Sequence, residues 1–343
     1  MTPATASPNV QPLRWGIVGA SDIAGRVMAP AMLASESACL VAIASRSPDL
    51  AAAFAARHGV ARWYATAEAL AADPDVDAVY VATEVDRHRD DVLAAARGGR
   101  DVLVEKPIAR TATEGQAIVD GCAAAGVRLG TCFYQRYNTR HRRIRDLLAD
   151  GAVGRVAAVQ VSFSGRSPAR AGAWRQDPGR SGGGPLIDMG SHAVDLLRWL
   201  FGEVEAVTAL VGTIVEPSAV EDTAFALLRM RSGVLASLAT HWSTADSSDA
   251  RTSSITIGGS RGTIVSWPLH DKQSRGTLIV AGDAREETVD VREASTHAAL
   301  LDDFAAARSA GRPFPITGED GVAAQRAIDA AYESARSGLT VRL

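Results

Sequence analysis

From Arg14 to about residue 135, short apolar runs alternate with alanine-rich stretches of helical length. The runs Trp15–Gly19, Cys39–Ser45, Ala78–Thr83, Asp101–Glu105 and Arg128–Phe133 are continuous in their apolar character. Strands that read this way are buried on both faces. Between them, Ile23–Ala34, Asp49–His58, Arg87–Arg97 and Thr113–Ala125 carry helical patterns. The alternation predicts βαβ units and a parallel sheet.

Past the basic stretch NTRHRRIRDLLADG the pattern changes. RVAAVQVSFSG, VEAVTALVGT, VEDTAFALLRM and GVLASLATHW predict successive long strands, the last two joined through Arg231-Ser232-Gly233 as a hairpin. Such a run suggests an open antiparallel sheet. A glycine-rich loop and one helix, Pro185–Phe201, fall between the first two, and helices near Thr296–Ser309 and Glu319–Arg336 close the chain. The basic run Arg140–Arg145 reads as a solvated helix face, and Phe133 and Tyr134 as core.

The expected fold is therefore α/β plus α+β. An N-terminal Rossmann domain with a doubly wound parallel sheet (13–135) precedes a substrate and oligomerisation domain built on an open antiparallel sheet (136–343). Residues 1–12 form a disordered tail. One face of the open sheet packs on helices and the other carries residues such as Phe225, Leu227 and Leu235, so a homodimer or homotetramer through that sheet is expected.

Composition narrows the partners. At 343 residues the chain is long enough for two domains, and its net charge of −3 gives no electrostatic case for nucleic acid or an anionic membrane. Three scattered cysteines argue against a disulfide framework and for a reducing compartment, hence a cytoplasmic protein. No apolar run approaches the roughly 18 residues of a membrane span. The opening MTPATASPNVQP lacks the basic and apolar parts of a signal peptide.

The first candidate site is the turn Gly19-Ala20-Ser21-Asp22-Ile23-Ala24, a G-x-G-x-x-G/A frame with serine in the second glycine's place. Backbone amides at the following helix start can hold a pyrophosphate, and the Ser21 hydroxyl can donate to it. An ordinary strand-to-helix turn fits the same frame. After the second strand, Ser45 and Arg46 stand where an NAD site usually has a carboxylate. An arginine there can pair with a 2′-phosphate, which favours NADP(H) and leaves NAD(H) possible.

The second constellation is EKP (105–107) with GGGPLIDMGSHAVDLLRWLFG (182–202). On a continuous helix Asp188, His192 and Asp195 share one face. They form either part of a cleft or, less in keeping with the rest of the chain, a metal site; no metal is expected. Alone, His192 reads equally as a buried histidine bonded to a backbone carbonyl.

In order and over nearly the whole chain, GIVGASDIA, AVYVAT followed by His88, EKP, YQRYNTRHRRIRDLLADGAVG and GGG-x-x-x-D-x-G-x-H resemble the Gfo/Idh/MocA family of sugar and inositol oxidoreductases. RWGIVGAS, GVRLGT, the Trp174-Arg175 pair and TGEDGV are most similar to its NADPH-dependent anhydro-sugar reductase branch. The resemblance implies that Gly19, Ala20, Ser21, Asp22 and Ile23 hold the pyrophosphate and that Ser45 and Arg46 hold the 2′-phosphate. Thr83, Glu84, His88, Glu105, Lys106, Trp174 and Arg175 would line the rest of the cofactor. It places Lys106, Asp188 and His192 in catalysis. Arg136 and Tyr137 belong to a substrate-wall segment, with Asp195 and His297 as further substrate candidates. His297 falls where that branch carries a contact tyrosine.

Reduction of a ketone needs a hydride and a proton. His192 is the expected general acid, since an unperturbed imidazole titrates at about 6.5. Asp188 would orient it and Lys106 would donate to the substrate oxygen, with Lys106 as the alternative proton donor. The expected substrate is a keto-sugar, anhydro-sugar or inositol derivative, selected by loops such as 165–179 and 246–254. A redox-neutral, NAD-linked glycoside hydrolase and a non-catalytic cofactor-binding regulator are the competing classes.

Overall fold

The computed structural model describes residues 11–165, 173–242, 252–282 and 285–343. Most of the expected N-terminal tail, and parts of both selectivity loops (166–172 and 246–251), lie outside the described residues.

The first half is a six-stranded parallel sheet. Its strands are β1 (Leu13–Val18), β2 (Ala38–Ala44), β3 (Arg62–Tyr64), β4 (Ala78–Val81), β5 (Asp101–Val104) and β6 (Leu129–Thr131), in the order β3-β2-β1-β4-β5-β6. Every residue of β4 and β5 is buried, as continuous apolar strands covered on both faces require. A π turn, Ala24–Met28, runs into α1 (Ala29–Ala34). The helices α2 (Pro48–His58), α3 (Ala67–Ala71), α4 (Val85–Arg97) and α5 (Ala112–Ala124) follow. Ser47, Thr66 and Thr111 cap α2, α3 and α5 by accepting from backbone amides. The strand order reverses between β1 and β4, so the carboxyl ends of these two strands open a crevice.

The second half begins with α6 (Thr139–Ala149) and β7 (Val156–Phe163). Three helices follow: α7 (Pro178–Ser181), α8 (Pro185–Asp188) and α9 (Gly190–Phe201). Then come β8 (Val204–Gly212), β9 (Thr223–Met230), β10 (Leu235–His241), β11 (Ser253–Gly259), β12 (Gly262–Trp267), β13 (Thr277–Gly282) and β14 (Arg285–Thr288). α10 (Thr296–Ser309), α11 (Gly318–Ser337) and β15 (Val341–Arg342) end the chain. The sheet runs β14-β13-β12-β11-β7-β10-β9-β8-β15 and is antiparallel except where β10 lies parallel to β7.

Alternation along β9 sets its two faces. Ala224, Ala226, Leu228 and Met230 are buried, while Phe225 and Leu227 are 57% and 65% exposed. α9 packs against β7 and β10, and α11 bridges the halves by packing on β8, α9 and α5. The expected single helix Pro185–Phe201 is in fact two, interrupted at Met189. Arg140, expected on a solvated face, is 1% exposed and bonds across to the segment 266–274.

Candidate active site

A cavity of about 880 Å³ runs along the carboxyl edge of the parallel sheet, from Ser45 and Arg46 at one end to Lys106, Asp188 and His192 at the other. Gly19 turns the chain at its floor with φ of 102°. A Cβ there would stand 2.8 Å from the Ala82 carbonyl carbon and the Thr83 nitrogen, so only glycine allows this crossing. The serine in the second glycine's place acts as a cap. Ser21 Oγ accepts from the Ala24 amide at 3.4 Å, which leaves its own proton for a ligand. Ala20, Ser21, Asp22 and Ile23 all border the cavity, and Asp22 also pairs with Arg26 at 2.7 Å.

At the Arg46 end the guanidinium is exposed and has no ion pair among the described residues. Arg87 borders the same space, its Nε buried without a partner. The nearby Glu68 carboxylate lies 3.7 Å from Arg97, on the helix behind. A tight glycine turn and a capped helix start fit the pyrophosphate of a dinucleotide.

The middle of the cavity is held by bonds across the crevice. Thr83 Oγ1 donates to Asp91 at 2.9 Å, and Glu84 pairs with Arg180 of α7. The His88 ring nitrogens lie 3.0 Å from the Pro107 carbonyl and 3.2 Å from that of Thr83, tying the β4 turn to the EKP segment. Burial pushes the His88 pKa down. Trp174 and Arg175 border the cavity with the guanidinium 4.3 Å from the indole centroid.

At the far end Glu105 accepts from the Tyr80 hydroxyl and, at 3.1 Å, from the Lys106 amide. Lys106 Nζ donates to Asp188 Oδ1 at 2.9 Å and to the Asp188 carbonyl at 2.8 Å. Arg175 Nε stands 3.8 Å from the other Asp188 oxygen. Burial alone would raise the Asp188 carboxyl, but the charges of Lys106 and Arg175 hold it below the usual carboxylate range. Asp188 is thus the partner of Lys106, a correction to its expected role of orienting His192. The helix break at Met189 separates the two residues.

The helix carrying Asp188 is fixed at its start by Glu221. That carboxylate accepts from the amides of Gly184 at 2.9 Å and Leu186 at 3.1 Å, and from the Tyr332 hydroxyl at 2.8 Å. A Cβ on Gly184 would fall 1.9 Å from the Glu221 carbonyl oxygen. Within the same run a Cβ on Gly182 would fall 3.0 Å from the Arg110 Cα of the first half, and Gly183 borders the cavity, so the glycines serve packing within the second half and against the first.

His192 is 4% exposed and enclosed by aromatic rings, with Phe163 stacked at 5.5 Å and Tyr134 edge-on at 4.9 Å. Its Nδ1 is buried without a partner. Burial first, and then the charges of Lys106 and Lys272, push its pKa well below the usual imidazole value. Burial thus favours the neutral imidazole over the charged one, against the expectation of an unperturbed imidazole.

The expected substrate residues lie behind the cavity wall. Arg136 pairs with Asp195 at 2.5 Å and with Asp320 at 2.9 Å, joining the short 3-10 turn Tyr134–Tyr137 to α9 and α11. Tyr137 is 3% exposed beneath the Arg142 guanidinium. His297 is 1% exposed and stacked 4.7 Å from Tyr134. None of Arg136, Tyr137, Asp195 and His297 borders the cavity, whereas Tyr134, buried in the core as expected, also borders it. Phe163, Trp242 and Lys272 also border it without any motif having marked them. Among the described residues no group of three or more His, Cys, Asp or Glu is placed to hold a metal ion, and no helix is long and apolar enough to cross a membrane.

Comparison with known proteins places the chain in a family. Residues 13–133 match the model for an oxidoreductase family with an NAD-binding Rossmann fold, and residues 141–265 match the GFO/IDH/MocA C-terminal domain. The chain is 32% identical to 1,5-anhydro-D-fructose reductase of Ensifer adhaerens over 90% of this chain and 92% of that one. It is also 32% identical to D-xylose 1-dehydrogenase (NADP(+)) 2 of Haloferax volcanii, over 96% and 100% of the two chains. The crystal structure of aldose-aldose oxidoreductase from Caulobacter crescentus, complexed with glycerol, superposes with a TM-score of 0.90 at 27% identity, covering 97% of this chain and all of that one.

Proposed function

The chain belongs to the Gfo/Idh/MocA family of NAD(P)-binding oxidoreductases, and on that premise we propose that it interconverts a carbonyl and a hydroxyl carbon of a sugar-like substrate, using NADP(H) in preference to NAD(H). The observation that carries the reading is the single cavity joining Arg46 to the Lys106–Asp188 pair. The relatives act on 1,5-anhydro-D-fructose and D-xylose by their names, and a small polyhydroxylated carbonyl compound suits the polar far end.

Gly19 to Ile23 would hold the pyrophosphate, and Ser45, Arg46 and Arg87 the 2′-phosphate. Thr83, Glu84, His88, Glu105, Trp174 and Arg175 would enclose the remainder. When bound, the nicotinamide supplies or accepts the hydride. Lys106, fixed by two bonds to Asp188, donates to the substrate oxygen as negative charge develops there and gives it a proton. Solvent then restores the ammonium. Asp188 keeps the lysine aimed. His192, a neutral imidazole in an aromatic enclosure, positions a substrate hydroxyl and helps keep water out.

The Lys106–Asp188 pair also weighs against a purely regulatory role, since it holds a proton donor at the reacting end. The exposed face of the second sheet, with Phe225, Leu227 and Leu235, would pair with a second copy. Following nicotinamide absorbance while ketoses, aldoses and anhydro-sugars are offered with each cofactor tests the reading. Turnover with NADP(H) is expected, and its absence across the panel would contradict it.

A further inference from the structure

Lys272 stands in the cavity wall at the substrate end, and its ammonium has no hydrogen bond or ion pair among the described residues. Lys106 differs in this respect, because Asp188 neutralises it. Burial lowers the Lys272 pKa, and the charges of Glu105, Lys106 and Asp22 reach it. An ammonium taken partly out of water without a partner is costly, so the fold has to hold it there.

The fold does so through the backbone. The Lys272 carbonyl accepts from the Thr296 amide at 3.0 Å and from its hydroxyl at 3.1 Å, at the start of α10. On either side, Asp271 accepts from the amides of Gln273 at 2.9 Å and Arg275 at 2.8 Å. The buried Arg140 guanidinium donates to the Pro268 and Ser274 carbonyls and to Ser266 Oγ. Burial brings the Arg140 pKa down to about 10, so it stays charged at physiological pH. A buried, charged arginine thus anchors a turn whose one unpaired cation faces the cavity.

We propose that Lys272 is an oxyanion-binding residue of the substrate site, and that the substrate carries a carboxylate on its polyhydroxylated chain. A neutral sugar would leave this ammonium unmatched, whereas a carboxylate pairs with it in a charge-assisted bond. The positive charges at this end are Lys106, Lys272 and Arg175, against the carboxylates of Asp188 and Glu105 and, from the phosphate turn, Asp22, which is paired with Arg26. Glu105 is already engaged by Tyr80 and the Lys106 amide. The inference rests on the sugar oxidoreductase reading and narrows its substrate class. The cofactor's pyrophosphate is the competing oxyanion for Lys272, since the Asp22 turn borders the same cavity and its charge reaches the ammonium.

The experiment uses the full chain saturated with NADP+ and measures binding of gluconate and of its neutral counterpart glucitol by calorimetry, in wild type, Lys272→Met and Lys272→Arg. NADPH affinity is measured on the same three proteins by fluorescence. Gluconate is expected to bind at least tenfold more tightly than glucitol to wild type. Lys272→Met removes that preference, Lys272→Arg keeps most of it, and all three proteins bind NADPH within twofold. Because the turn is held through the Lys272 carbonyl, neither substitution removes a structural bond. Equal binding of the two ligands, or binding of neither, overturns the proposal. A tenfold loss of NADPH affinity in Lys272→Met with glucitol and gluconate unaffected would assign the ammonium to the pyrophosphate, and overturns it too. Failure of wild type to bind either nicotinamide cofactor would instead count against the oxidoreductase reading itself.

Discussion

Lys106 and Asp188 come from opposite halves of the chain and meet twice, through the aspartate carboxylate at 2.9 Å and its backbone carbonyl at 2.8 Å. Lys106 follows the end of β5, and Asp188 ends α8. The pair therefore closes the reacting end of the cavity only when both halves are in register.

Removing the proton donor should abolish most turnover while leaving the cofactor in place. Lys106→Met is expected to lower kcat by about 10²–10⁴-fold, the usual range for a positioned acid. Asp188→Asn keeps the shape but loses the charge, and a smaller loss of about tenfold to a hundredfold is expected. Steady-state kinetics with NADPH affinity measured alongside checks both.

His192 should behave as a neutral positioning group. His192→Asn is expected to slow turnover, yet the rate profile between pH 6 and 8 should keep the wild-type shape, because burial pushes the imidazole pKa well below its usual value. A limb near pH 6.5 that disappears in the variant would restore the general-acid role.

Much of this site was legible in the sequence, and the reasons for the exceptions are physical. β4 and β5 announce themselves because a strand buried on both faces is apolar at each position. β3 is three half-exposed residues at a sheet edge and carries no such pattern. β11 and β12, with SSITIGG and GTIVSW, hide among glycine and serine. Asp188, His192 and Asp195 share a face only on an unbroken helix, and the interruption at Met189 sets Asp188 apart from the other two, while Asp195 is drawn to Arg136. The Arg136–Asp195 pair joins residues far apart in the chain, and Lys272 sits on a turn with no motif. Spacing cannot reveal either.

Glu221 anchors the helix that carries Asp188, so its loss should cost both stability and activity. Glu221→Gln retains a partner for Tyr332 but weakens the two amide bonds. Glu221→Ala leaves buried donors unmet, with a cost of about 2–4 kcal/mol expected. Urea denaturation is the check, with no change in midpoint as the contrary result.

Acid should destabilise the protein through its buried histidines. Burial, with the charges of Arg140 and Lys272 respectively, pushes His141 and His297 down to about 3. In the unfolded chain each takes up a proton below about pH 6.5. The unfolded state then binds more protons, so their contribution is complete above pH 6.5 and is lost as pH falls toward 3, by about 1.4 kcal/mol per histidine per pH unit. Denaturation at pH 7.5, 6.5, 5.5 and 4.5 should show this decline, and His297→Phe should flatten it by one histidine's share. Parallel curves for the two proteins would argue against it.

The sheet face gives a prediction about assembly. Leu227→Glu places a charge in the middle of the exposed apolar face, and light scattering at micromolar concentration should show wild-type oligomers becoming monomers. A wild-type monomer would contradict the proposed pairing.

The most direct test of the account is a fluorescence titration of wild type and Arg46→Ala with NADPH and NADH. Wild type should bind NADPH at least tenfold more tightly, and the variant should lose about that factor for NADPH alone, in line with one charge-assisted bond. Equal affinities unchanged by the substitution would contradict the 2′-phosphate site and with it the NADP(H) assignment.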